Sequence, residues 1–126
     1  MSIYSKVIKA INEKRSLKND DIVKSIQIYV GDNYKDPNLT VESISQVVGL
    51  STNYVRTIFK DYTGDSLTNF INNMRFNEVK RMLMNTNYPA KKIAENVGFA
   101  SSRYFYTAFK KLTGKSPDEY RKIKLG

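Results

Sequence analysis

Residues 89–121 read PAKKIAENVGFASSRYFYTAFKKLTGKSPDEYR, and the periodicity of this stretch decides the fold. Before Gly98, the residues Ile93, Ala94 and Val97 form one apolar stripe; after it, Phe105, Ala108, Phe109 and Leu112 recur at i, i+3, i+4 and i+7 and form another. Two short helices therefore pack face to face around a glycine, which suits the left-handed turn that other residues enter only at a cost. A short glycine-containing turn between two crossed helices is the build of a helix-turn-helix. The second helix leaves Arg103, Tyr106, Thr107 and Lys110 on its outer side, a polar and cationic face.

The pattern occurs twice. Placing Phe59 on Phe109 puts Val55, Ile58 and Tyr62 on Phe105, Ala108 and Leu112, while Asn53, Arg56, Thr57 and Lys60 fall on Arg103, Tyr106, Thr107 and Lys110. Upstream, Ile44, Ser45, Val48 and Gly49 align with Ile93, Ala94, Val97 and Gly98, the second copy having one extra residue after its glycine. Each copy closes on the same phrase, Phe59, Lys60, Thr63, Gly64, Ser66 against Phe109, Lys110, Thr113, Gly114, Ser116.

The chain resembles the DNA-binding domain of the AraC/XylS family of bacterial transcription regulators. The resemblance runs from about Ile22 to Arg121 and is carried by the paired motifs, the FKDYTG and FKKLTG phrases, and the FKKLTGKSPDEYR ending. It implies an all-α fold of about seven helices, with two tandem helix-turn-helix subdomains joined by a long linker helix. It also implies an activator that recruits RNA polymerase. Family members commonly carry arginine two residues before the Phe-Lys of each recognition helix; this chain has Thr57 and Thr107 there, so the arginine role is not carried over.

Composition narrows the function classes. Of 126 residues 40% are hydrophobic and 26% charged, with three prolines and six glycines, the balance of a globular helical chain. Cysteine and histidine are both absent, which removes disulfides, thiolate or imidazole metal sites, and Cys- or His-based catalysis. No enzyme activity and no cofactor are expected. No apolar run approaches the roughly 20 residues that span a bilayer, and the N-terminus lacks a signal-peptide core, so the expected place is the cytoplasm. The net charge of +9 favours a polyanionic partner; its cations sit on the outer faces of alternately apolar helices, unlike a basic helix lying on a membrane.

The expected divisions are residues 1–18, a linker or short amphipathic helix; 19–65, the first helix-turn-helix subdomain; 66–86, the connecting helix; and 87–126, the second subdomain. Asn19 to Asp21 offer N-cap chemistry for a helix striped by Ile22, Ile26, Tyr29 and Val30 and ending near Gly31 to Pro37. Thr40 caps a helix over 41–48, and the first recognition helix spans 52–62. Ser66 caps a helix to about Asn85 with Leu67, Phe70, Ile71, Met74, Val79, Met82 and Leu83 apolar and its methionines as core filler. At 1.5 Å per residue it is about 28 Å long, the length of a strut not far below the ~34 Å of a DNA turn. Pro89 is expected in the first turn of the next helix. Ser116, Pro117 and Glu119 read as N-cap, N1 and N3 of a capping box.

The candidate base readers are Thr52, Asn53, Arg56 and Thr57 in the first motif and Ser101, Ser102, Arg103, Tyr106 and Thr107 in the second. Arginine pairs bidentately with guanine and asparagine with adenine, and the N-terminal part of such a helix enters the major groove. Ser51, Lys60, Lys91, Lys92, Lys110 and Lys111 are candidate phosphate contacts. The expected partner is double-stranded DNA, read as two adjacent major-groove segments by a monomer, with no small-molecule ligand in this segment. The alternatives are a basic helical adaptor for an acidic protein and a nonspecific nucleoid-type DNA binder. The N-terminal residues, which have no place in the family's DNA-binding unit, favour a domain of a longer regulator over a stand-alone one.

Overall fold

The chain breaks into helices where short polar side chains take over the backbone hydrogen bonds. The computed structural model describes residues 19–123; residues 1–18, expected to be a linker or a short amphipathic helix, lie outside them. Seven α-helices occupy the described residues: α1 Asn19–Asn33, α2 Val41–Val48, α3 Thr52–Thr63, α4 Leu67–Asn85, α5 Ala90–Asn96, α6 Ser102–Thr113 and α7 Pro117–Ile123. The fold is all-α, as the periodicities predict. Among the described residues no helix is long and apolar enough to cross a membrane.

The caps explain the boundaries. Thr40 Oγ1 accepts from the Ser43 N–H while Ser43 Oγ accepts from the Thr40 N–H, a capping box at the start of α2. Ser51 and Ser101 cap α3 and α6 by accepting from the N–H groups of Tyr54 and Tyr104, 3.1 Å in each case. Ser116 and Glu119 form the predicted reciprocal pair at α7. Pro89 differs from its expected place: it is the N-cap of α5, one residue before the first turn, with extended backbone at φ −58°, ψ 142°. Gly31 lies inside α1, which continues to Asn33, where the side-chain amide donates to the Tyr29 carbonyl at 2.8 Å.

The shared Thr-Gly phrase is a helix stop. Thr63 Oγ1 donates toward the carbonyls of Phe59 and Asp65 and accepts from the Asp65 N–H; Thr113 does the same with Phe109 and Lys115. Gly64 and Gly114 then turn the chain at φ 80° and 79°, each N–H bonding the carbonyl of Lys60 or Lys110.

The chain divides into two units, residues 19–33 with 39–71 and residues 34–38 with 72–123. In the first, α1 and α2 pack on α3 around Ile26, Val30, Ile44, Val48, Val55 and Phe59, none more than 2% exposed. In the second, α5 and α7 pack on α6, and Phe76, Val79, Leu83, Ile93, Val97, Phe99, Phe105 and Phe109 form one core with Met82, Ala108 and Tyr120 partly buried against it. α4 begins in the first unit and ends in the second. Its positions 67, 71, 75, 79 and 83 are all buried, one every four residues along a single stripe. Met74 and Met82 are half-buried packing residues.

Three features escape the predicted stripes. Leu112 and its counterpart Tyr62 are exposed, because the core contact at that end of each helix comes from the ring that follows: Tyr120 lies 5.4 Å from Phe109 and Phe70 lies 5.3 Å from Phe59, centroid to centroid. Phe76, absent from the predicted stripe, is buried with its ring 4.9 Å from Phe99. Arg75 is also buried, and its guanidinium donates to the backbone carbonyls of Tyr34 at 2.7 Å and Asp36 at 3.0 Å. That pairing satisfies a charge that would otherwise be costly to bury; burial pulls the Arg75 pKa down, and the Asp36 carboxylate opposes the shift.

The structural repeat reaches further back than the two motifs. Asn19, Val23, Ile26 and Val30 of α1 match Asn72, Phe76, Val79 and Leu83 of α4 at a constant offset, with the three apolar positions buried in both. Each unit is therefore a bracing helix followed by a helix-turn-helix.

Candidate nucleic-acid interface

The two second helices, α3 and α6, share one pattern of exposure. Val55, Ile58 and Phe59 are buried in α3, and Phe105 and Phe109 in α6. Asn53, Arg56, Thr57 and Lys60 are exposed on α3, and Arg103, Tyr106, Thr107 and Lys110 are exposed on α6. Burial of the apolar stripe fixes each helix in rotation, so its four outer residues form one solvent-facing row.

The remaining candidates take more specific places. The hydroxyl oxygens of Ser51 and Ser101 serve as N-cap acceptors and keep their protons free to donate. Thr52 is half-buried with its Oγ1 3.1 Å from Ser45 Oγ, so it ties α3 to α2; Ser102 is half-buried at the start of α6. Lys91 and Lys92 are exposed in the first turn of α5, which holds no acid. Cations there run against the helix dipole, so they do not serve the stability of α5. Lys110 and Lys111 are exposed in the last turn of α6, where the dipole favours them.

The two faces differ in charge. α6 carries Arg103, Lys110 and Lys111 and no acid, whereas α3 carries Arg56 and Lys60 together with Asp61. Arg56 is also paired: its Nη2 lies 3.3 Å from Glu42 Oε1 in the first turn of α2. Arg103 makes no ion pair among the described residues.

Two matched clamps were missed by motif reading. Tyr54 Oη donates to Asn19 Oδ1 at 2.7 Å in the first unit, and Asn72 Nδ2 donates to Tyr104 Oη at 3.1 Å in the second. Both tyrosines occupy the same position of the recognition helix, and both asparagines start the same bracing segment. The extended repeat, Asn19 onto Asn72, is the signal that would have found them. Glu42 had no such signal, since its counterpart is Lys91.

Each unit thus presents an N-capped helix whose outer row is polar and cationic, anchored by a bracing helix and a second helix behind it. This is the architecture of a helix-turn-helix DNA-binding unit, present twice. Residues 44–123 match the family described as "Helix-turn-helix domain". The arabinose operon regulatory protein of Escherichia coli K12 is 33% identical over 114 residues, which cover 90% of this chain and 39% of that protein; the chain spans about two fifths of its length. The C-terminal domain of AraT, a response regulator from Geobacillus stearothermophilus, superposes with a TM-score of 0.77 at 32% identity, over 81% of this chain and 84% of that one. The DNA-binding domain of AdpA, solved in complex with a target DNA, shares the fold with a TM-score of 0.74 at 20% identity, over 80% and 90% of the two chains. The chain belongs to the AraC-type family of helix-turn-helix DNA-binding domains.

Proposed function

We propose that this chain binds double-stranded DNA in a sequence-specific manner as part of a transcription regulator, with α3 and α6 each reading a major-groove segment. The observation that carries this reading is the repeated outer row: four exposed residues at the same helical positions in both motifs, behind a core that holds each helix in rotation. Asn53, Arg56 and Thr57 on α3, and Arg103, Tyr106 and Thr107 on α6, carry side chains suited to base edges. Thr52, Ser101 and Ser102 at the helix starts add hydroxyl groups beside them. Ser51, Lys60, Lys91, Lys92, Lys110 and Lys111 are assigned to phosphate, which positions the helices without reading sequence.

The two rows are unlike, Asn53 against Arg103 and Arg56 against Tyr106, so the two DNA segments are unlike too and a single chain binds a non-palindromic site. A role as activator and a contact with RNA polymerase rest on the family resemblance alone, as does a cytoplasmic location. Competition binding tests the reading. A duplex selected from a random pool is expected to outcompete random duplex and heparin, the specific site binding about 10³-fold or more tighter than nonspecific DNA. Equal competition by all three would overturn it in favour of a nonspecific binder or a basic adaptor.

A further inference from the structure

We infer that Glu42 is a positioning residue that sets the base preference of Arg56, an assignment that rests on the DNA-reading role proposed above. The carboxylate stands in the first turn of α2, where the helix dipole favours an anion, and its Oε1 lies 3.3 Å from Arg56 Nη2 across fourteen residues of sequence. Both side chains are more than half exposed, 62% and 51%, so water is able to solvate each of them alone. An exposed pair of this kind contributes little to folding stability, and stability does not account for its presence.

Its placement runs against simple DNA affinity. The matching residue of the second motif is Lys91, a cation, and a carboxylate beside a DNA-facing row repels phosphate. Arg56 is the only cation in the first two turns of α3. A freely rotating arginine there would favour any nearby phosphate or guanine. Drawn to Glu42 through one terminal nitrogen, its guanidinium keeps its other donors and is biased toward the rotamers that face α2. It then presents those donors in a preferred direction, which favours bidentate recognition of guanine O6 and N7. Glu42 also penalises the backbone-bound alternative, because an arginine that swings toward phosphate leaves the carboxylate unpaired next to an anion. Negative charge near the interface thereby trades overall affinity for selectivity.

The test measures binding of the selected duplex and of its single-base-pair substitutions by the wild type and by Glu42→Gln, Glu42→Lys, Arg56→Ala and the Glu42→Gln/Arg56→Ala double variant. Glu42→Gln is expected to reduce discrimination about two- to fivefold at the one base pair read by Arg56, the most that an exposed ion pair of this kind supplies, and to leave other positions unchanged. Glu42→Lys is expected to do the same while binding all sequences more tightly. In the Arg56→Ala background Glu42→Gln should have no further effect on discrimination. If Glu42→Gln shifts affinity for every sequence equally, or sharpens discrimination instead, Glu42 is a plain electrostatic or silencing group and the assignment is overturned. A wild type with no base preference at all would overturn the proposed function, and this assignment with it.

Discussion

Arg75 Nε stands 2.8 Å from the point where a β-carbon on Gly98 would lie, and the Tyr34 carbonyl oxygen it bonds stands closer still to that point. Gly98 has φ 109°, so its turn needs both a conformation and a space that only glycine supplies. Gly114 has φ 79° and nothing within 4 Å of its would-be β-carbon. Gly114→Ala is expected to cost about 1–2 kcal/mol, the left-handed penalty alone. Gly98→Ala adds a clash with a backbone oxygen, about 1–3 kcal/mol more. Urea denaturation of the two variants checks this; equal losses would show that the packing at Gly98 relaxes freely.

Arg75→Met should destabilise the second unit although it touches no surface proposed to meet DNA. Its loss leaves the carbonyls of Tyr34 and Asp36 without the donors that now pair with them, at about 1–3 kcal/mol for each carbonyl left buried. Thermal melts should show the loss, and base discrimination by the folded fraction should be unchanged.

Hydrogen bonds from the Ser116 backbone N–H and its hydroxyl hold the Glu119 carboxyl below its ordinary value of 4.5. The folded-state value lies below the unfolded one. The resulting stabilisation is therefore present above about pH 4.5 and is lost as pH falls through the folded value. Glu119→Gln is expected to be less stable than the wild type at neutral pH, with the gap narrowing on acidification below pH 4.5. Melting curves across pH 3–7, roughly the range over which such a carboxyl titrates, provide the measurement. A gap independent of pH would show that the carboxylate charge is not what the cap uses.

Local chemistry made the helix boundaries legible. Thr40 and Ser116 cap within three residues of sequence, as the spacing predicts; Ser51 and Ser101 cap in the same way, although the sequence reading gave them only to DNA. The repeat made the outer rows legible, since burial of Phe59 and Phe109 fixes which residues face out. Tertiary partners were not legible. Arg75 lies about forty residues from the carbonyls it bonds, Asn72 thirty-two from Tyr104, and Glu42 fourteen from Arg56. The charge of Arg75 gave it no reason to be inside although it falls on the buried stripe of α4, and periodicity placed Leu112 inside, where the following helix instead supplies Tyr120 by a contact no local pattern encodes.

The charge difference between the recognition helices bears on salt dependence. Lys110 and Lys111 face solvent with no acid on α6, whereas Lys60 is followed by Asp61. Replacing Lys110 and Lys111 together by alanine is expected to weaken binding to all sequences alike and to reduce the slope of log K against log salt by about 0.9 for each phosphate no longer neutralised. Lys60→Ala should lower the slope by about 0.9 at most, since it neutralises a single phosphate. Loss of preference at a single base pair would instead place these lysines among the base readers.

The most direct test of the central claim, that each unit reads bases of its own, is selection from random duplexes with the wild type, Arg56→Ala and Arg103→Ala. The wild type is expected to enrich a site with two unlike conserved segments. Arg56→Ala should blunt one position in one segment and Arg103→Ala one position in the other, each at about 1–3 kcal/mol of discrimination. If no sequence is enriched, or if both variants blunt the same segment, the claim that α3 and α6 are two independent readers is contradicted.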